Sequence, residues 1–373
     1  MNLQTLNVPL FLTALLALAG CDFFTPQEPG IGASVQWEEM PGWRDDNLEQ
    51  AWQALQAQCP RMDSKGDPWP VICQKVSDLQ SPTAEQVREF FQSNFAPHRI
   101  HGKHGKFDGL ITGYYEPILK GSLSKSDPYV YPIYSPPEDM VTVELAGLYP
   151  SLKGMRLRGR VEGNRLVPFH SREAIDGEQQ PLAGKELLWI DDPYDSFFLQ
   201  IQGSGRVRLD DGSMVGLNYA DQNGHPYVAV GKTLVEMKEL PLEDVSLFTI
   251  RQWLDKNPSR AHEVLNSNPS YVFFTLREDT AEGPRGSLNV PLTDERSLAV
   301  DRRVIPLGTP VWLDTTLPDG TRYQRLMIAQ DTGGAIRGPV RADVFFGTGE
   351  RAELLAGEMK QSGQLYALLP QPE

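Results

Sequence analysis

Four carboxylates stand where short apolar or aromatic runs give way to charge, glycine or proline. They are Glu116 in Gly113-Tyr114-Tyr115-Glu116-Pro117, Asp301 in Asp301-Arg302-Arg303, Asp331 in Gln330-Asp331-Thr332-Gly333-Gly334, and Asp343 in Arg341-Ala342-Asp343. A carboxyl at the mouth of a buried strand is suited to general acid–base work on a large substrate. Leu326-Met327-Ile328-Ala329 is the kind of apolar run that forms a strand buried on both faces. Such surroundings lower the local dielectric and favour the protonated form of Asp331. Gly333 and Gly334 beyond it let a bulky ligand come close to the backbone. The competing role for such an Asp is a turn residue that hydrogen-bonds its own backbone.

Neighbouring cations separate the three aspartates. Arg341 lies two residues from Asp343, on the same strand face, and Arg302 and Arg303 adjoin Asp301. Both arrangements favour the ionised form. The nearest cation before Asp331 in the sequence is Arg325. On this reading Asp331 holds a proton near neutral pH, while Asp301 and Asp343 orient, hydrogen-bond or hold the loop. Glu116, with Tyr114 and Tyr115 beside it, is a rival second carboxylate or the end of a rim strand.

The elements that must position these groups are short. Leu48, Ala51, Trp52 and Leu55 predict a helix over 45–58, and Val87, Phe90, Phe91 and Phe95 another over 84–95. Thr83 and Gln86 are spaced as its capping box. From about 120 to 245 the text reads as strands and turns, clearest at Tyr129–Tyr134 and Phe197–Ile201. Asp210-Asp211-Gly212-Ser213 predicts a turn between strands ending at Leu209 and starting at Met214. Gln202-Gly203-Ser204 puts polar side chains beside bare backbone, suited to a polymer ligand or to a bend in a barrel strand. It is not a Gly-x-Ser-x-Gly elbow, since Gly203 directly precedes Ser204. Gly231-Lys232-Thr233 lacks the upstream glycine of a phosphate loop, position 226 being Pro. Leu247 to Leu254 predicts a helix stopped by Pro258, Tyr271-Val272-Phe273-Phe274 opens a second strand-rich block, and Glu350 to Lys360 a closing helix. Turns this frequent predict a mainly β protein with a few helices, built as barrels rather than a parallel sheet.

The chain has 373 residues, 40% hydrophobic, with 30 Pro and 33 Gly, which supports two or three domains rich in strands and turns. A net charge of −14 argues against nucleic acid as a partner. Residues 8–20 have the length of a signal-peptide apolar core, and Leu18-Ala19-Gly20-Cys21 resembles a bacterial lipobox in which Cys21 is acylated. Residues 1–20 then form a lipoprotein signal peptide and 21–34 a tether. Cys59 and Cys73 can pair in an oxidising compartment. Neither their spacing nor the six scattered His supports a metal site, and no cofactor motif is present.

Taken together, Gly113–Pro117, Phe198–Arg206, Tyr271–Phe274 and the three aspartate motifs resemble the membrane-bound lytic murein transglycosylase A family and its three-D domain. The resemblance implies a double-psi β-barrel from 35–120 and 246–373, a second β-barrel inserted at 121–245, and a glycan groove between them. It implies a lytic exotransglycosylase that cleaves the MurNAc–GlcNAc β-1,4 bond of peptidoglycan and leaves 1,6-anhydromuramic acid, without a cofactor. Carried over by motif, Asp331 is the catalytic acid and base. Asp301, Asp343, Gly333, Gly334, Gln202, Gly203, Ser204, Tyr114 and Glu116 are expected to bind or support. The implied setting is the periplasmic side of the outer membrane, with Asp22 leaving the inner membrane open, and wall-synthesis complexes as partners. Two alternatives come from other classes: a two-carboxylate wall hydrolase and a non-catalytic glycan-binding lipoprotein.

Overall fold

The computed structural model describes residues 28–155, 157–278 and 282–371. The signal segment 1–20 and Cys21 lie outside the described residues. Six strands close a ring: Gly109–Glu116, Arg341–Thr348, Ser297–Val300, Arg322–Asp331, Pro310–Thr316 and Lys360–Pro370, the last returning to pair with the first. Closure removes the exposed edges of the sheet. Ile111, Leu298, Val300, Met327, Ala329 and Val344 fill the interior. Lys360–Pro370, which the sequence reading left unassigned, pairs with three other strands.

Gly30–Ser34, expected within the tether, is instead a strand paired with Phe95–His101. His98 Nδ1 lies 2.9 Å from the Gly32 carbonyl there, and Gly32 packs so close to Arg99 O that a Cβ would sit 2.8 Å from it. Helix Leu48–Met62 lays Leu48, Ala51, Trp52 and Leu55 on the outside of the ring against Trp312, Leu326 and Ile328. Helix Ala84–Asn94 starts at the expected box, with Thr83 and Gln86 exchanging side chain–backbone bonds. A disulfide ties Cys59 in the first helix to Cys73 in helix Trp69–Asp78.

A second sheet runs in the order Val272–Arg277, Met214–Gln222, Ser204–Leu209, Ile118–Ser122, Glu186–Ile190, Tyr131–Tyr134. It curls until its edges approach, the rings of Tyr134 and Tyr271 lying 6.3 Å apart. Val272–Arg277 follows the segment 121–245 expected for the insertion, yet its ladder runs along Met214–Gln222. The turn Asp210–Ser213 joins its strands as expected.

Phe197–Ile201 is not a strand. It lies in helix Pro193–Gln202, where Asp192 caps the amides of Tyr194 and Asp195, Pro193 takes the first position, and Gly203 ends the helix at φ 81°. These start and stop signals outweigh the strand propensity of a paired Phe. Pro258 likewise does more than stop helix Leu247–Lys256, since it opens a further helix, Pro258–Asn266.

Candidate active site

Along Arg322–Asp331, Met327 and Ala329 point into the barrel. Strict alternation would send Asp331 inward too. The register instead slips: Leu298 pairs with Ala329, but Ala299 pairs with Asp331. Gln330 is the extra residue of a β-bulge, a device that re-aims the side chain beyond it. The Gln330 amide is buried between Ser297 Oγ at 2.6 Å and Ala54 O at 2.9 Å. Asp331 therefore emerges on the outer face. Ala299 also pairs with Asp343, and Asp343 with Thr112, so four residues form one row across the sheet. Tyr114 and Phe345 form the next row, their rings 5.2 Å apart.

The Asp331 carboxyl is recessed and unequally bonded. Its Oδ1 accepts from Ser287 N at 2.9 Å, Ser287 Oγ at 2.8 Å and Thr332 N at 2.8 Å. Its Oδ2 accepts from the Tyr114 hydroxyl at 3.0 Å. Burial pushes the carboxyl above the ordinary range, against the lowering effect of these donors. A carboxyl poised in this way can give up a proton and then stabilise the resulting anion.

Residues 110–275 match the MltA specific insert domain and residues 296–369 the 3D domain. The chain is 32% identical over 267 residues to the membrane-bound lytic murein transglycosylase A of Vibrio cholerae, covering 69% of this chain and 65% of that protein's length. A membrane-bound lytic murein transglycosylase of known structure from Agrobacterium tumefaciens is 32% identical over 91% of this chain and 98% of that one, with a TM-score of 0.81. The chain belongs to the membrane-bound lytic murein transglycosylase A family. Another member of the family, from E. coli, crystallised with bound chitohexaose, has 25% identity and a TM-score of 0.69 over 93% of this chain and 96% of its own.

Against that family frame, the other expected site residues divide. Asp343 lies in the Asp331 row, but the arginine argument for its ionisation does not hold. Burial pushes its carboxyl up, outweighing Arg341 and the Thr112 hydroxyl, which donates to Oδ1 at 2.6 Å. The Arg341 guanidinium donates instead to the Ala342 carbonyl at 2.6 Å. Asp301 behaves as expected: the Arg303 guanidinium, first among its partners, holds it down at about 2. Its Oδ2 also accepts from Gly338 N at 2.8 Å, which pins the far end of the loop that starts at Gly333.

Glu116 is fully buried and bridges Arg206 Nε at 2.7 Å and Arg277 Nη2 at 2.8 Å. It comes from the ring and its arginines from the second sheet, so it joins the two. Burial pushes its carboxyl up despite both arginines. Gln202 Oε1 accepts from Tyr115 N at 3.0 Å, Gly203 terminates a helix, and Ser204 begins a strand. Of these, Gln202 braces the joint, tying the end of its helix to the ring strand. Gly334 faces Tyr227 of the other domain, since a Cβ placed on it would lie 3.9 Å from Tyr227 Cβ. Among the described residues no group of His, Cys, Asp or Glu is placed to hold a metal ion.

Sequence reasoning missed Thr112, Ser287, Thr332 and Tyr227. For Ser287 the usable signal is Gly286 before it. A Cβ at Gly286 would lie 2.7 Å from Gln330 O and 3.3 Å from Asp331 Cβ, so only glycine lets this loop lie flat on the acid.

Proposed function

We propose that the chain cleaves the β-1,4 bond between N-acetylmuramic acid and N-acetylglucosamine in peptidoglycan, with Asp331 acting first as acid and then as base. The observation that carries this reading is the recessed Asp331, one oxygen saturated and the other facing, among the described residues, a single hydroxyl. Family membership and the chitohexaose bound by the E. coli relative support a glycan substrate.

Ordinary glycosidases need a second, ionised carboxylate. Glu116 is committed to two arginines and Asp301 to Arg303. A muramic residue offers its own C6 hydroxyl instead, with the high effective molarity of an intramolecular nucleophile. In the first step the Asp331 proton passes to the glycosidic oxygen as its bond to C1 breaks. In the second, the C6 oxygen bonds to C1 and its proton passes to Asp331. Acid–base catalysis of this kind supplies roughly 10²–10⁴-fold. The carboxylate formed in the first step lies beside the developing cation and stabilises it.

One observation favours a second reading. Asp331 and Asp343 stand two strands apart, about 9.5 Å between backbones, near the roughly 6.5–9.5 Å separation of carboxyls in inverting hydrolases. Mass spectrometry of digested sacculi separates the two. Anhydro products without an added water are expected, whereas reducing ends one water heavier mean hydrolysis.

Cys21 is proposed as the lipid anchor, holding the enzyme in the cell envelope on the periplasmic side of the outer membrane, within reach of wall-synthesis complexes. The Cys59–Cys73 disulfide supports an oxidising compartment. Loss of membrane association in Cys21→Ser tests the anchor.

A further inference from the structure

We propose that Ser287 is a positioning residue: by saturating Oδ1 of Asp331 it confines the reactive proton to Oδ2, the oxygen that faces Tyr114. This rests on Asp331 being the acid and base of the reaction.

The count of lone pairs carries the inference. A carboxyl oxygen has two lone pairs, and Oδ1 already meets three donors, two of them from Ser287. A fourth hydrogen has no place there. Among the described residues Oδ2 meets only the Tyr114 hydroxyl, which leaves it a position for a proton. The direction of the Ser287 hydroxyl is fixed in turn. It lies 2.7 Å from Thr332 Oγ1, and having given its own proton to Asp331 it accepts one from Thr332. The chain of donors therefore runs Thr332 to Ser287 to Oδ1.

The loop is built to hold this arrangement. Leu288 N donates to Gln330 O at 3.0 Å, and Gly286 N to Val290 O at 3.1 Å. Leu288 and Val290 are buried with Met62 and the disulfide residue Cys73. The Ser287 side chain itself is exposed above the acid, so replacing it disturbs no core.

The consequence for each step is definite. When the glycosidic bond breaks, the O–H bond at Oδ2 breaks and the proton goes to the leaving oxygen. When the anhydro ring closes, the C6 hydroxyl proton returns to Oδ2. At both moments Oδ1 keeps its donors, and the carboxyl does not turn over between steps.

The experiment compares release of anhydro products from purified sacculi across pH for wild type, Ser287→Ala, Ser287→Thr and Asp331→Asn. Loss of one donor to the anion makes Asp331 harder to ionise, so the alkaline limb of Ser287→Ala is expected about half to one pH unit higher. Its acid-side plateau is expected several-fold lower, and Ser287→Thr, which keeps the hydroxyl, is expected to restore both. A limb that stays in place or moves down overturns the proposal, as does failure of Ser287→Thr to restore it. An active Asp331→Asn overturns the underlying assignment of Asp331, a different and separable outcome.

Discussion

Asp343 stands in the same cross-strand row as Asp331, and the methyl group of Ala299 is the side chain between them. A larger residue there pushes directly on the acid. Ala299→Val is expected to lower turnover by about 10²-fold through misplacement, while overpacking costs about 1–3 kcal/mol. Ala299→Ser, close in volume, is expected to stay near wild type. Product release measured beside thermal melting checks this, and an unimpaired Ala299→Val contradicts it.

Asp331→Asn is expected to lose at least about 10²-fold in rate and to gain stability at neutral pH. The sign follows from burial, which raises the folded-state pKa of Asp331 above its unfolded value. Ionisation therefore opposes folding, and the stability of wild type falls as pH rises through the folded value. The amide does not ionise. Its melting temperature is expected above that of wild type at pH 7, with the gap closing below about pH 3.9. Melts at both pH values decide the matter.

Asp301 works with the opposite sign. Its carboxyl is held down at about 2, chiefly by Arg303. Its contribution is present above the unfolded carboxylate value and is lost as pH falls toward about 2. Arg303 is largely exposed, so Asp301→Asn is expected to cost only about 1 kcal/mol at pH 7. The difference from wild type should narrow between pH 4 and 2. Hydrogen exchange at Gly338 is expected to quicken in the variant.

Glu116→Gln leaves two arginines at a buried joint without their anion, and is expected to cost about 3–5 kcal/mol. Whatever turnover remains should still yield anhydro ends. A switch to reducing ends, or an unchanged melt, would contradict the structural role assigned to Glu116.

Much of this was legible in the chain because local signals agreed with the tertiary outcome. Thr83 and Gln86 announce a helix start, and Leu326–Ala329 announces a buried strand. The apolar run before Asp331 singles it out as a carboxyl that burial pushes up, and burial does push it up. Failures came where a distant contact outweighed a near one. Arg341 is two residues from Asp343 in sequence, yet burial outweighs it and pushes the carboxyl up. Phe197-Phe198 looks like a strand until Asp192 and Gly203 are read as its caps. Ser287 reaches Asp331 across 44 residues of chain, a distance over which no local pattern operates. Gln202 has the polar character of a binding segment, but its side-chain oxygen accepts from Tyr115 N at the joint between the sheets.

The bulge at Gln330 makes the strand sensitive to counting. Strand residues before it can be exchanged for others of similar volume without turning Asp331 around. Ala329 faces inward, so an aspartate joined directly to it would still face outward opposite Ala299; deleting Gln330 keeps the side of the acid but removes the amide that ties this strand to Ser297 and Ala54. A one-residue deletion before the bulge instead turns the upstream core residues to the wrong face, a fault that point substitutions never produce.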